Sequence, residues 1–228
     1  MKKYKFLIGF LILSFGYIGC EQNEIALYNE SPRINFLWNA QHYTFRDTDY
    51  VNGHEFHDLD IEVEIQGYLL KTPLDFVVKS QAGKAYETTA EIVLPQKYTY
   101  TALDTNKQWI VFKVKRPAKL TPTNEPEGAI LKFDLDNPAH QFASGRVDID
   151  SCRIEVYYDI TPTGAIWNAT WWGEYSTGKY FFMMDYFKTI YKDMDRGRLA
   201  ELKQAYEEYK QAHAPILDDG GKEIAFPN

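Results

Sequence analysis

Residues 109–116 read WIVFKVKR, and this stretch decides the fold. Ile110, Phe112 and Val114 fall on one side of a period-two repeat, with Val111, Lys113 and Lys115 on the other. An extended chain points successive side chains to opposite faces, so the segment reads as a strand with one buried and one solvated side. Residues 59–66 (LDIEVEIQ) repeat the pattern, setting Ile61, Val63 and Ile65 against Asp60, Glu62 and Glu64. Working outward, the same period marks candidate strands at 33–38, 74–79, 89–94, 128–135 and 152–160, separated by turn residues. Residues 117–126 (PAKLTPTNEP) hold three prolines and read as a loop. Seven short strands with no long helix between them predict a mainly β fold, an antiparallel Ig-like sandwich, over residues 31–162.

Beyond that point the period changes. Residues 167–187 read WNATWWGEYSTGKYFFMMDYF, nine of them aromatic. Burying one large ring is worth roughly 1.5–3 kcal/mol, so a stretch this aromatic is expected to form a seam between two parts of the molecule. Ser176 or Thr177 is placed to cap a helix whose apolar positions include Tyr180, Met184, Phe187 and Tyr191, spaced by four, three and four. Residues 193–197 interrupt it. A second helix then runs to about His213, with Leu199, Leu202, Tyr206 and Tyr209 on one stripe, and Pro215 stops it. Asp218-Asp219-Gly220-Gly221 reads as a turn, after which residues 224–226 return as a short strand. Residues 163–228 are therefore expected to form an aromatic linker and a helical C-terminal lobe, a hairpin packed on the sandwich. Trp171 and Trp172 are adjacent, so on an extended stretch their rings point to opposite sides. One then faces the interior. The other, beside Tyr175, is a candidate stacking surface for a glycan or peptide ligand, the alternative being that both rings fill the seam.

The N-terminus reads as an address. Lys2, Lys3 and Lys5 precede a thirteen-residue apolar run over 6–18, shorter than the about 20 residues a bilayer span needs. The run ends in Tyr17-Ile18-Gly19-Cys20, which resembles a bacterial lipobox. Residues 1–19 are thus expected to be a lipoprotein signal peptide. Cys20 becomes the lipidated N-terminus, palmitate among its acyl chains, and residues 20–30 form anchor and tether. Several acyl chains hold a protein to a membrane stably where one does not. The Glu21-Gln22-Asn23-Glu24 stretch looks like the acidic signals that send some Bacteroidetes lipoproteins to the cell surface. Losing the three leader lysines from 25 basic residues, and none of 32 acidic ones, leaves a charge of −10. That balance argues against nucleic acid as a partner. Cys152, left as the second cysteine, lies in an alternating stretch and reads as a buried, inert thiol.

Each motif that invites a chemical reading misses a required position. His54-Glu-Phe-His57 places its histidines at i and i+3, where the zinc protease motif needs i and i+4 on a helix, although Asp58 and Asp60 stand nearby. Asp193-Met-Asp195 with Gly197 begins like a calcium loop, but its twelfth position is Gln204 instead of a bidentate glutamate. Asp218-Asp219 reads as a turn before it reads as a metal pair. Ser176 is not in a nucleophile elbow and reads as a helix cap. No catalytic residue, metal site or cofactor is assigned, and the chain is not read as an enzyme.

Taken along its length, the mature chain resembles an uncharacterised Bacteroidetes lipoprotein family catalogued as domain of unknown function 4843. The resemblance rests on Cys20, Tyr28, Arg33-Ile-Asn-Phe36, Val63-Glu-Ile65 with Gly67, Ala85-Tyr86, and Ile92-Val-Leu-Pro95. It continues through Val114-Lys-Arg116, Trp167, Gly173, Tyr175-Ser176 and Lys179 to Pro215-Ile-Leu-Asp-Asp-Gly-Gly-Lys-Glu-Ile-Ala-Phe-Pro227, its most specific part. Gly83-Lys-Ala-Tyr86 before the 92–95 strand also resembles Calx-β sandwiches, without their clustered acidic ligands. The family resemblance implies an accessory lipoprotein of a Sus-like nutrient uptake system, beside a TonB-dependent transporter and its lipoprotein lid. It implies no catalytic residues. An accessory ligand-binding or assembly subunit is the expected role. A purely structural surface lipoprotein, and after it a hydrolase acting on the imported nutrient, are the alternatives.

Overall fold

Two sheets face each other in the computed structural model, which describes residues 31–82, 89–121 and 125–227. The strands in chain order are β1 (Arg33–Phe36), β2 (Ala40–Phe45), β3 (Phe56–Gln66), β4 (Leu74–Phe76), β5 (Val78–Ala82), β6 (Ile92–Val93), β7 (Tyr98–Tyr100), β8 (Lys107–Lys115), β9 (Glu127–Phe133), β10 (Ala143–Ser144) and β11 (Ser151–Tyr158). One sheet runs β10-β1-β3-β8-β6, the other β2-β11-β9-β5, and β4 pairs with β7 alone. The alternation read from sequence sets the register. Ile61 lies opposite Ile110 and Leu59 opposite Phe112, all four buried, while Asp60 and Glu62 lie opposite the outward Val111 and Trp109. In the second sheet Cys152, Ile154 and Val156 of β11 and Ala129, Leu131 and Phe133 of β9 face the same interior. Phe36 of β1 stacks on Phe133 of β9 at 4.3 Å between ring centroids, which joins the inner faces of the two sheets. Burial pushes the Cys152 thiol up to about 12, so it stays protonated and unreactive at neutral pH.

The sandwich is the fold expected, and its details differ in places with physical causes. The strand expected at 74–79 is two strands in different sheets. The break falls at Val77, whose N–H is bonded to Nδ1 of His140 and whose carbonyl accepts from Asp134 N. Strand β2 carries no alternating apolar set, since only Phe45 is fully buried, and it forms by parallel pairing with β11. The β1–β10 pair is parallel too. Residues 224–226 form no strand. An isolated bridge between Leu217 and Glu223 closes the Asp218 turn, because Asp218 Oδ1 takes the amides of Gly220 and Lys222.

Four α-helices complete the described residues: α1 (Asp47–Val51), α2 (Ala169–Trp172), α3 (Thr177–Phe187) and α4 (Leu199–Ala212). Ser176 caps α3, its Oγ accepting from Lys179 N at 3.3 Å, and Lys188 ends it in the left-handed conformation with φ 54°. Buried Leu202 and Tyr206 form the inward stripe of α4. Trp172, Tyr180, Met183, Met184, Tyr191 and Leu202 belong to the same apolar cluster as the strand residues, so the helices extend the sandwich core. Among the described residues no helix is long and apolar enough to cross a membrane. The leader, Cys20, the tether and Gly83-Lys-Ala-Tyr86 lie outside the described residues.

Candidate functional site

The aromatic seam is organised by short-range hydrogen bonds first and ring packing second. Asn168 caps α2 by accepting from Trp171 N at 3.2 Å, so 169–172 is a helical turn and not the extended stretch expected. Successive helical residues are about 100° apart, so the two tryptophan rings still diverge. Trp172 is 1% exposed and meets Phe187 edge-to-face at 5.8 Å. Trp171 is 43% exposed, with the Arg196 guanidinium 5.2 Å from its ring centroid. Tyr175, 37% exposed, lies against Trp167 at 5.1 Å. No ring contact joins it to Trp171 among the described residues, although both rings are partly exposed. Burial raises the Tyr175 phenol above its ordinary value and keeps it neutral.

Gly173 ends α2 at φ 76°, and a Cβ placed there would lie 2.9 Å from the Ala225 carbonyl oxygen. Both the conformation and the close approach of the C-terminal segment require glycine. Its carbonyl accepts from Trp167 Nε1 at 2.8 Å. Beneath it Lys179, 2% exposed, donates to the Trp172 and Glu174 carbonyls, and its Nζ lies 5.5 Å from the Phe226 ring centroid. Burial pulls the Lys179 ammonium below its ordinary value, partly offset by Glu174 and Asp218. Two main-chain acceptors and a ring face thus hold this lysine in the interior, in a structural role.

Asp47 is the residue that sequence reading missed. Its carboxylate is fully buried yet takes four donors: Tyr180 Oη at 2.7 Å, Thr163 N at 2.7 Å, the Thr163 hydroxyl, and Thr48 N at 2.8 Å. Tyr180 Oη in turn accepts from Tyr191 N at 3.0 Å, and Tyr191 Oη accepts from Asn168 N at 2.6 Å. Burial, with Asp47 adding to it, raises the Tyr180 phenol far above its ordinary value, so it remains a donor. One carboxylate therefore joins α1, the segment after β11 and α3. One of two Asp residues in an RDTDY string gives no sequence signal of this.

The other candidates separate in space. His54 Nδ1 lies 3.3 Å from Asp49 Oδ1, whereas the His57 ring stacks on Tyr43 at 3.5 Å, so the two histidines serve different neighbours. Asp58 lies 3.9 Å from Lys113. Asp195 Oδ1 accepts from Gly197 N at 2.8 Å in a local turn, and Asp193 is paired with Lys192 at 3.2 Å. Among the described residues no group of three or more His, Cys, Asp or Glu side chains is arranged to hold a metal ion.

Two surface features went unread in the sequence. One is the outward side of β8, where Trp109 is 58% exposed beside Val111, with Val93 of β6 on the same face. The other is a cleft of about 720 Å³ lined by Tyr50, Arg116, Tyr158 and Phe181, where the sandwich meets α1 and α3.

No family model and no curated protein matches the chain. Among solved structures it is similar to the apo form of the Calx CBD1 domain, with 15% identity over 57% of this chain and 99% of that one and a TM-score of 0.37. A protein of unknown function from Bacteroides ovatus matches at 10% identity over 55% of this chain and 45% of that one, with a TM-score of 0.33. A two-domain protein with unknown function from Bacteroides fragilis NCTC 9343 matches at 8% identity, 57% and 46% coverage and a TM-score of 0.35. The chain spans less than half the length of these two Bacteroides proteins. The likenesses concern the fold alone.

Proposed function

We propose that the chain is an outer-membrane lipoprotein, anchored through Cys20 at the cell surface, that serves as an accessory subunit of a Sus-like nutrient uptake system beside a TonB-dependent transporter. The observation that carries the reading is the outward face of the β3–β8 pair. Trp109 and Val111 stand exposed on β8, beside the short edge strand β6, with the acidic row Asp58, Asp60, Glu62 and Glu64 on the neighbouring strand β3. Tryptophan is enriched at the centre of protein interfaces, where its large ring supplies much of the binding energy. An apolar strip flanked by carboxylates suits a partner surface with an apolar centre and a basic rim. The leader and Gly19-Cys20 support the membrane address.

Two experiments test this. Pull-down of the full chain from detergent through a C-terminal tag is expected to recover a TonB-dependent transporter, and Trp109→Glu is expected to lose it while folding normally. Recovery of the transporter by Trp109→Glu at parental yield removes this face from the interface, and its absence from the parent pull-down refutes the assembly. Separately, Cys20→Ala is expected to abolish metabolic labelling with palmitate and release the protein from the membrane fraction. A labelled, membrane-bound Cys20→Ala protein overturns the anchor.

A further inference from the structure

We infer that the cleft around Arg116 is a binding site for a small organic anion, a carboxylate on a ring or apolar body. The inference is independent of the uptake reading. Arg116 follows the last residue of β8, and its backbone N–H is fixed by the Glu55 carbonyl at 2.8 Å. Its guanidinium lies between two tyrosine rings, 5.4 Å from the centroid of Tyr158 and 5.8 Å from that of Tyr50. One is tethered by its hydroxyl and the other stands on a fixed main chain. Tyr50 Oη donates to Asp185 at 3.0 Å, and the Tyr158 backbone exchanges hydrogen bonds with Thr121 at 2.8 and 3.1 Å. The fork is therefore held in place before any ligand arrives.

What it lacks is an acceptor. Nη1 of Arg116 is buried and has no hydrogen-bond partner among the described residues. A buried guanidinium nitrogen without an acceptor is costly in a folded protein and points to a group that completes it. Asp185 is engaged by the Tyr50 hydroxyl.

Charge and shape agree on the ligand. Lys115, Arg116 and Lys119 line the cleft with Glu55. Lys115 is paired with Glu91 at 2.8 Å, so Arg116 and Lys119 are the cations left to meet a ligand there, in a chain whose net charge is −7. Such a local reversal of sign concentrates anions. Arginine's planar fork matches a carboxylate in two parallel hydrogen bonds. Phe181, edge-on to Tyr50 at 4.8 Å, and Leu120 add an apolar wall. The volume of about 720 Å³ falls in the range of roughly 300–1,000 Å³ typical of small-molecule sites, which favours a compact ligand over a protein segment.

The test is calorimetric titration of the full chain with glucuronate and with benzoate, against glucose and benzyl alcohol as their uncharged counterparts. At least one of the two anions is expected to bind about tenfold or more tightly than its counterpart and to raise the melting temperature of the parent. The identity of the better anion tells a sugar acid from an aromatic acid. Arg116→Gln is expected to abolish the preference, and Arg116→Lys, which keeps the charge and loses the fork, to weaken it. If Arg116→Gln fails to fold, Arg116→Lys and the exposed Lys119→Ala decide between the outcomes, each being expected to show a weaker preference than the parent. Equal binding of anion and neutral counterpart, no binding of either anion, or a parental preference in these variants overturns the site.

Discussion

Trp172→Ala is expected to lower the stability of the protein by ~3–5 kcal/mol, while Trp171→Ala lowers it by less than about 1 kcal/mol. The ring of Trp172 is fully buried and edge-on to Phe187, so its removal leaves a cavity among large, rigid neighbours. The main chain around it cannot relax freely to fill that space. Its own carbonyl accepts from buried Lys179, and the next residue, Gly173, is pressed against the Ala225 carbonyl. The ring of Trp171 keeps water on one side and Arg196 on the other, a contact worth little when exposed. For a chain of this size each kcal/mol moves the melting temperature by roughly 2–4 °C, so the two variants separate clearly in thermal unfolding. Equal, large losses in both would show that Trp171 is as deeply packed as its neighbour. Equal, small losses would show that the seam does not hold the helices to the sandwich.

The sandwich was legible because a half-buried strand writes its own pattern. In β3 and β8 the apolar residues stand at every second position, and the structure buries those residues and exposes their neighbours, Trp109 and Val111 included. Strand β2 has no such pattern, since its place is fixed by pairing with β11, over a hundred residues away in the chain. Local periodicity carries no information about such a partner. The helices after Ser176 were legible in part, the first through its Ser176 cap and the second through its Leu202 and Tyr206 stripe. The first ends at Phe187, and the Tyr191 expected on it lies in a separate 3-10 turn because Lys188 breaks the helix in the left-handed conformation. The one-turn helix at 169–172 was not, because it is too short for a period and depends on a single Asn168 cap. Sites were harder to read than elements. Arg116 looks from sequence like the last residue of a basic strand end, and its importance appears only when Tyr50 and Tyr158 close on its two sides. Asp47 is hidden for the same reason: its donors come from positions 48, 163 and 180.

Asp47→Ala is expected to cost as much as the loss of the tryptophan, ~3–5 kcal/mol, although it removes only a few atoms. The cost arises in the groups left behind. Tyr180 Oη is fully buried, and without the carboxylate its proton has no acceptor, while its oxygen must still accept from Tyr191 N. An orphaned buried donor costs about 1–3 kcal/mol. Thr163 loses both an amide acceptor and a hydroxyl acceptor, and Thr48 N loses its cap, but these residues are only half-buried and water replaces part of the loss. Tyr180→Phe removes the orphan at its source. If the network is the latch between α1 and α3, adding Tyr180→Phe to Asp47→Ala costs less than Tyr180→Phe does alone. The coupling from that double-mutant cycle, measured by urea unfolding, is expected at about 1–3 kcal/mol. Additive losses would mean that the two residues act separately, and an Asp47→Ala protein within about 1 kcal/mol of the parent would remove the carboxylate from the account of how the lobe is held.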